Sequence, residues 1–145
     1  MRIVLDTNVL VAGLLSPHGP CAEVLRLAFS GHLTLCLDSR IIVEYDEVLR
    51  RKKFGFNLDN IEIIMGHITR EGLMTVPAPV GVSLPDRDDE VFIEAAVAAG
   101  ASYLVTGNSG HFPMRLFQGV KIVSPGEFLT RYRRSHKEPD VGALR

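Results

Sequence analysis

Short apolar and β-branched runs alternate with segments of helical periodicity along nearly all of this chain, and that alternation is the strongest constraint on its fold. Strands are expected at Arg2–Leu5, Leu33–Leu37, Leu73–Val76, Tyr103–Thr106 and Val120–Val123. Between them, apolar residues recur at three- and four-residue intervals. Val9, Leu10, Leu14 and Leu15 do so from Asn8 to the break at Ser16-Pro17, and Val24, Leu25, Ala28 and Phe29 within Cys21–Ser30. Ser39 stands where an N-cap would start a helix through Ile42, Val43, Val48 and Leu49, and Asn57–Arg70 carries Ile61, Ile64, Met65 and Ile68 on one face. Asp89–Ala99 and Pro125–Tyr132 complete the helices, with Pro77–Pro85 as a connection. Strands alternating with helices build an α/β domain, here a mostly parallel sheet of about five strands with helices on both faces. The 145 residues suffice for one such domain, and no repeat or composition break marks a second. The domain is expected over 1–132, with 133–145 as a polar, flexible tail.

Charge and cysteine usage exclude several functions. Lys plus Arg number 16 and Asp plus Glu 17, so the chain is not a polycation that coats nucleic acid. A local distribution of charge still allows one to be met. Asp6 interrupts the first apolar run, and Val9–Leu15 falls short of the about 20 residues a membrane span takes, so neither a secretory signal nor a membrane partner is expected. Cys21 and Cys36 each stand alone among apolar neighbours, which fits reduced thiols in a cytoplasmic protein and no structural zinc.

In an open α/β sheet, ligands bind outside the carboxyl ends of the strands. Asp6, Thr7 and Asn8 follow the first strand there, and Thr106, Gly107 and Asn108 follow the Tyr103 strand. Asp86, Asp88, Asp89 and Glu90 crowd the start of one helix, and Glu44 lies one to two turns into another. Each has a plain structural role open to it. Asp6 would cap a helix, one or two acids at a helix start satisfy its dipole, Glu44 would face water beside Asp46 and Glu47, and Thr106 with Asn108 would form a turn. Together they describe more. Carboxylates from separate elements, aimed at one pocket with neutral oxygen donors nearby, suit Mg²⁺ or Mn²⁺. Such a site clamps and polarises a phosphodiester and activates water, in many nucleases with two ions.

Four segments carry a resemblance to the PIN-domain family, in its VapC-like toxin ribonuclease group. They are Ile3-Val4-Leu5-Asp6-Thr7-Asn8-Val9-Leu10; Ser39-Arg40-Ile41-Ile42-Val43-Glu44 leading to Val48-Leu49; Asp86-Arg87-Asp88-Asp89-Glu90-Val91-Phe92-Ile93; and Leu104-Val105-Thr106-Gly107-Asn108. The resemblance implies a Rossmann-like sheet and metal-dependent hydrolysis of RNA by a cluster of acids. By position, Asp6 matches the first acid, Glu44 the second and Asp89 the third, flanked by Asp86 and Asp88, with Asp88 as the other candidate for the third. Thr7 and Asn8 match the residues that hold the first acid, and Thr106 the hydroxyl near the metal. Asn108 departs from the family, where many members place a fourth aspartate, and this weakens the case for a second metal. The family also implies an antitoxin partner and a homodimer.

The expected function is therefore a Mg²⁺- or Mn²⁺-dependent endoribonuclease, the toxin of a toxin–antitoxin pair. The alternative is a non-catalytic RNA- or protein-binding module whose metal site Asn108 has weakened. A receiver- or phosphatase-like domain fits less well, since position 8 is Asn8 and Lys121 is the only internal lysine past the basic run. His111, beside Phe112, reads as structural, with phosphate contact or proton transfer as its other role. Arg50, Arg51, Lys52 and Lys53 either complement a helix C-terminus or contact RNA phosphates. Arg131, Arg133, Arg134 and Lys137 form a second basic group. Trp is absent and no aromatic stacking platform is evident, so base-specific readout is not expected.

Overall fold

Ile3, Val4 and Leu5 project alternately to the two sides of β1 (Arg2–Leu5), yet each is at most 1% exposed, so helices must cover the sheet on both faces. The computed structural model describes residues 1–136. After β1 come α1 (Thr7–Leu15), α2 (Pro20–Phe29), β2 (Thr34–Leu37), α3 (Ser39–Leu49), α4 (Leu58–Glu71), β3 (Leu73–Met74) and α5 (Arg87–Ala99). The chain continues through β4 (Tyr103–Val105), β5 (Leu116–Phe117), β6 (Val120–Val123) and α6 (Pro125–Ser135). The strand order is β3-β2-β1-β4-β6-β5, parallel except for β5. α5 crosses β1, β2 and β4 with α3 beside it, while α1, α2 and α6 form a second packed group. In this order β1 connects to β2 on one side and pairs with β4 on the other, with Leu5 opposite Val105. The carboxyl ends of β1 and β4 therefore flank the point where strand order reverses.

Local chemistry explains where the elements differ from expectation. Asp38, not Ser39, caps α3: its backbone is extended and its side chain accepts from the Ile41 amide at 3.0 Å, which makes Ser39 the first helical residue. Asp86 caps α5 in the same way, so that helix starts at Arg87. The sixth strand, β5, is too short to show periodicity; a two-residue turn at Gln118 and Gly119, both at positive φ, folds it back on β6. α6 continues past Tyr132 to Ser135, and Arg133, expected in the tail, donates to Glu23 of α2 at 2.6 Å. Residues 137–145 of the expected tail, Lys137 among them, lie outside the described residues. Cys21 and Cys36 are both free thiols, and burial pushes Cys36 up to about 11.

Candidate active site

Asp6 is the first residue past β1 and occupies the N-cap position of α1, yet its side chain makes no cap bond. It turns instead toward β4. Asp6 Oδ2 accepts from the Thr106 hydroxyl at 2.8 Å and from the Asn8 side-chain amide at 3.4 Å. A second layer fixes those donors: the Asn108 amide donates to Thr106 Oγ1 at 3.0 Å, and the Gly107 amide to Asn8 Oδ1 at 3.1 Å. Asp6 and Thr106 are both buried, so the carboxylate is held at the switch point by bonds from the first turn of α1 and from the residue that follows β4.

Glu44 reaches the same place from α3. Thr7, expected to hold the first acid, donates its hydroxyl to Glu44 Oε2, so Asn8 and Thr106 hold Asp6 while Thr7 holds Glu44. The acidic start of α5 divides its duties by helical spacing. Asp86 caps the helix and Asp88 is exposed at the rim. Glu90 accepts from the Leu84 amide at 3.0 Å and so supports the preceding loop, whereas Asp89 is buried at the cleft. That geometry distinguishes Asp89 from Asp88 as the inward acid. His111 is not a packing residue: it lies half-exposed on the cleft with Nδ1 3.2 Å from Asp89 Oδ2.

A cleft of about 430 Å³ opens over Asp6, Glu44, Asp89, Asn108 and His111. Its apolar lining follows from helix geometry. From Thr7, steps of four residues lead along α1 to Val11 and Leu15; from Glu44, a step of four leads along α3 to Val48, and Arg51 follows just past the end of that helix. One end of the groove between these packed helices is therefore acidic, and the other apolar and basic.

All three central acids are held above their ordinary pKa. Burial is the main cause at Asp6, opposed by the Thr106 hydroxyl and reinforced by the Asp89 charge. Burial also leads at Glu44, where the Thr7 bond opposes it and the charges of Asp6 and Asp88 add to it. At Asp89 burial leads again, followed by the Asp86 charge, with His111 opposing. Neighbouring carboxylates thus add to the effect of burial at all three, and a cation placed among them offsets that repulsion. The donors fit one. Ligand atoms of Asp86, Asp89 and His111 lie within 4.8 Å of one another, and carboxylates with one imidazole suit a divalent metal.

Fold and site together define a Rossmann-like α/β domain with an acid-lined cleft at its switch point. The family model described as PIN domain matches residues 2–110, and the chain belongs to that family, whose members are generally metal-dependent nucleases. No curated protein matches the chain.

Proposed function

We propose that this protein is a Mg²⁺- or Mn²⁺-dependent endoribonuclease that hydrolyses RNA phosphodiester bonds. One observation carries the reading: three carboxylates from three elements meet at one cleft, each anchored by its own partner and each held above its ordinary pKa. Asp6 and Asp89 would hold the metal, with Glu44, Asp86 and His111 beside them. When bound, the ion supplies polarisation of the phosphoryl oxygens and activation of an attacking water. Thr106 and Asn8 keep Asp6 in one orientation, which positions it before substrate arrives. Glu44, engaged by Thr7 at Oε2, keeps Oε1 to accept a proton from the attacking water, a task its raised pKa suits. Asn108 offers a neutral carbonyl oxygen at the rim, which favours one tightly held ion over two.

The four-segment resemblance extends the proposal to the toxin of a toxin–antitoxin pair, acting in the cytoplasm as a homodimer and blocked by a cognate antitoxin. Among the described residues no helix is long and apolar enough to cross a membrane. Asn108 also favours a second reading, a non-catalytic binding module; calorimetric titration with Mg²⁺ or Mn²⁺ separates the two, since the module binds neither at millimolar concentration. The enzyme reading is tested by Asp6→Asn. Metal-dependent RNA cleavage should be abolished while circular dichroism stays that of the parent; retained activity would overturn the assignment.

A further inference from the structure

The segment joining α3 to α4 carries chemistry that the acidic end of the cleft does not use. It reads Arg50-Arg51-Lys52-Lys53-Phe54-Gly55-Phe56-Asn57. Arg50 is engaged, donating to Asp46 at 3.0 Å and to Glu62. Arg51, Lys52 and Lys53 are exposed and form no ion pair among the described residues. Lys52–Phe54 make a single 3-10 turn, and Gly55, at φ 65, closes it in the left-handed conformation. Beyond that reversal Phe56 stacks against Phe54, with ring centroids 6.0 Å apart and planes 29° from parallel. Phe54 is only half-buried, its ring borders the cleft together with Arg51, and Lys53 Nζ stands 5.0 Å from its centroid.

Thus an aromatic ring supported by a second ring, within a run of cations that form no ion pair among the described residues, lies in the same cleft as the three acids. Arg51 lies two residues past the end of α3, and it borders the same cleft as Glu44 of that helix. A phosphate at the acidic end would leave the base of a neighbouring nucleotide within the apolar end, over Leu15, Val48 and Phe54. Aromatic rings with cationic neighbours are how sequence-tolerant proteins hold unpaired bases. The sequence marked no stacking platform because Phe54 and Phe56 lie in a loop, where no periodicity brings them together; their ring contact is seen only in the structure.

We propose that Phe54 is a substrate-positioning residue that stacks the base of a nucleotide next to the scissile phosphate, while Arg51, Lys52 and Lys53 contact the flanking backbone. The protein would then favour an unpaired nucleotide beside the scissile phosphate, because a paired base would first have to be unstacked and unpaired to reach Phe54. This rests on the ribonuclease reading above.

The test measures binding by fluorescence anisotropy in an Asp6→Asn background, which prevents cleavage. The probes are a labelled, short, unstructured RNA and a ribose-phosphate oligomer of the same length without bases. Phe54→Leu should weaken binding of the RNA about 5- to 150-fold, the range of stacking losses on removing an aromatic side chain. It should leave the baseless oligomer unchanged, which also shows that the variant is folded. Phe54→Tyr, which keeps the ring, should bind RNA like the parent. The proposal is overturned if the background protein does not bind the RNA, if Phe54→Leu binds it as well as the parent, or if both probes weaken equally. Cleavage by the protein with Asp6 intact keeps the two readings apart. Cleavage with Phe54-independent binding removes only the stacking role, and Phe54-dependent binding without cleavage removes only the nuclease.

Discussion

Replacing Thr106 with valine changes little in shape but removes the hydroxyl that holds Asp6. Two bonds go with it: the donation to Asp6 Oδ2 at 2.8 Å and the acceptance from the Asn108 amide at 3.0 Å. A bond to an ionised group is worth about 1.5–3 kcal/mol, and an amide deprived of its acceptor costs about 1 kcal/mol more. Water reaching the open side of the cleft returns part of this, which leaves a loss of about 2–3 kcal/mol at neutral pH. For a chain of this length that lowers the melting temperature by about 4–12 °C. The loss should depend on pH. Burial already holds Asp6 above its ordinary 3.8 with the Thr106 hydroxyl opposing, so Thr106→Val raises it further. Between 3.8 and the folded value the native state binds more protons than the unfolded chain, and stability falls as pH rises through that window. The window reaches higher in the variant, so its deficit grows with pH and is complete only above its own folded value. Urea denaturation in chelator at about pH 4 and about pH 8 reads both effects. A variant as stable as the parent, or a deficit equal at both pH values, would refute this account of Asp6.

Two further outcomes follow from the same geometry. Metal at one hundred times its dissociation constant should stabilise the protein by about 2.7 kcal/mol, a rise of about 5–11 °C by circular dichroism, and Asp6→Asn should lose most of it; an unchanged melting temperature in the parent counts against the metal site. Gly72→Ala should cost about 1–3 kcal/mol in urea denaturation, because a Cβ there would meet Leu37 Cδ1 at 2.4 Å and the Ile68 carbonyl oxygen at 2.6 Å; a loss below about 0.5 kcal/mol would show that α4 shifts without strain.

How far the sequence revealed the site depended on how each residue is placed. Asp6 and Thr106 stand immediately after strands whose apolar runs are plain, and a carboxylate at a buried strand end is costly unless donors or a cation hold it. The crowded start of α5 left Asp88 and Asp89 both open as the third acid, with the resemblance favouring Asp89; burial at the cleft beside Asp86 and His111 is what separates it from the exposed Asp88. The Thr7–Glu44 bond was not legible, since its partners are 37 residues apart and only α1–α3 packing brings them together. His111 sits in a 3-10 turn without periodicity; its one signal was its place three residues after Asn108. Phe54 was hidden by its neighbours: charge dominates 50–53, whereas the Phe-Gly-Phe that follows, with glycine free to reverse the chain, was the feature to weigh. Ser39 and Asp38 are both good caps, and only the extended backbone of Asp38 decides between them.

The central claim is that an acidic cleft at the β1–β4 switch point makes this chain a metal-dependent ribonuclease. Its most direct test is the rate at which the purified protein cleaves a labelled single-stranded RNA as Mg²⁺ or Mn²⁺ is added to chelator-treated protein. The account predicts no cleavage in chelator and a rate that rises and saturates with metal. Cleavage that persists in chelator, or none at any metal concentration, would contradict it.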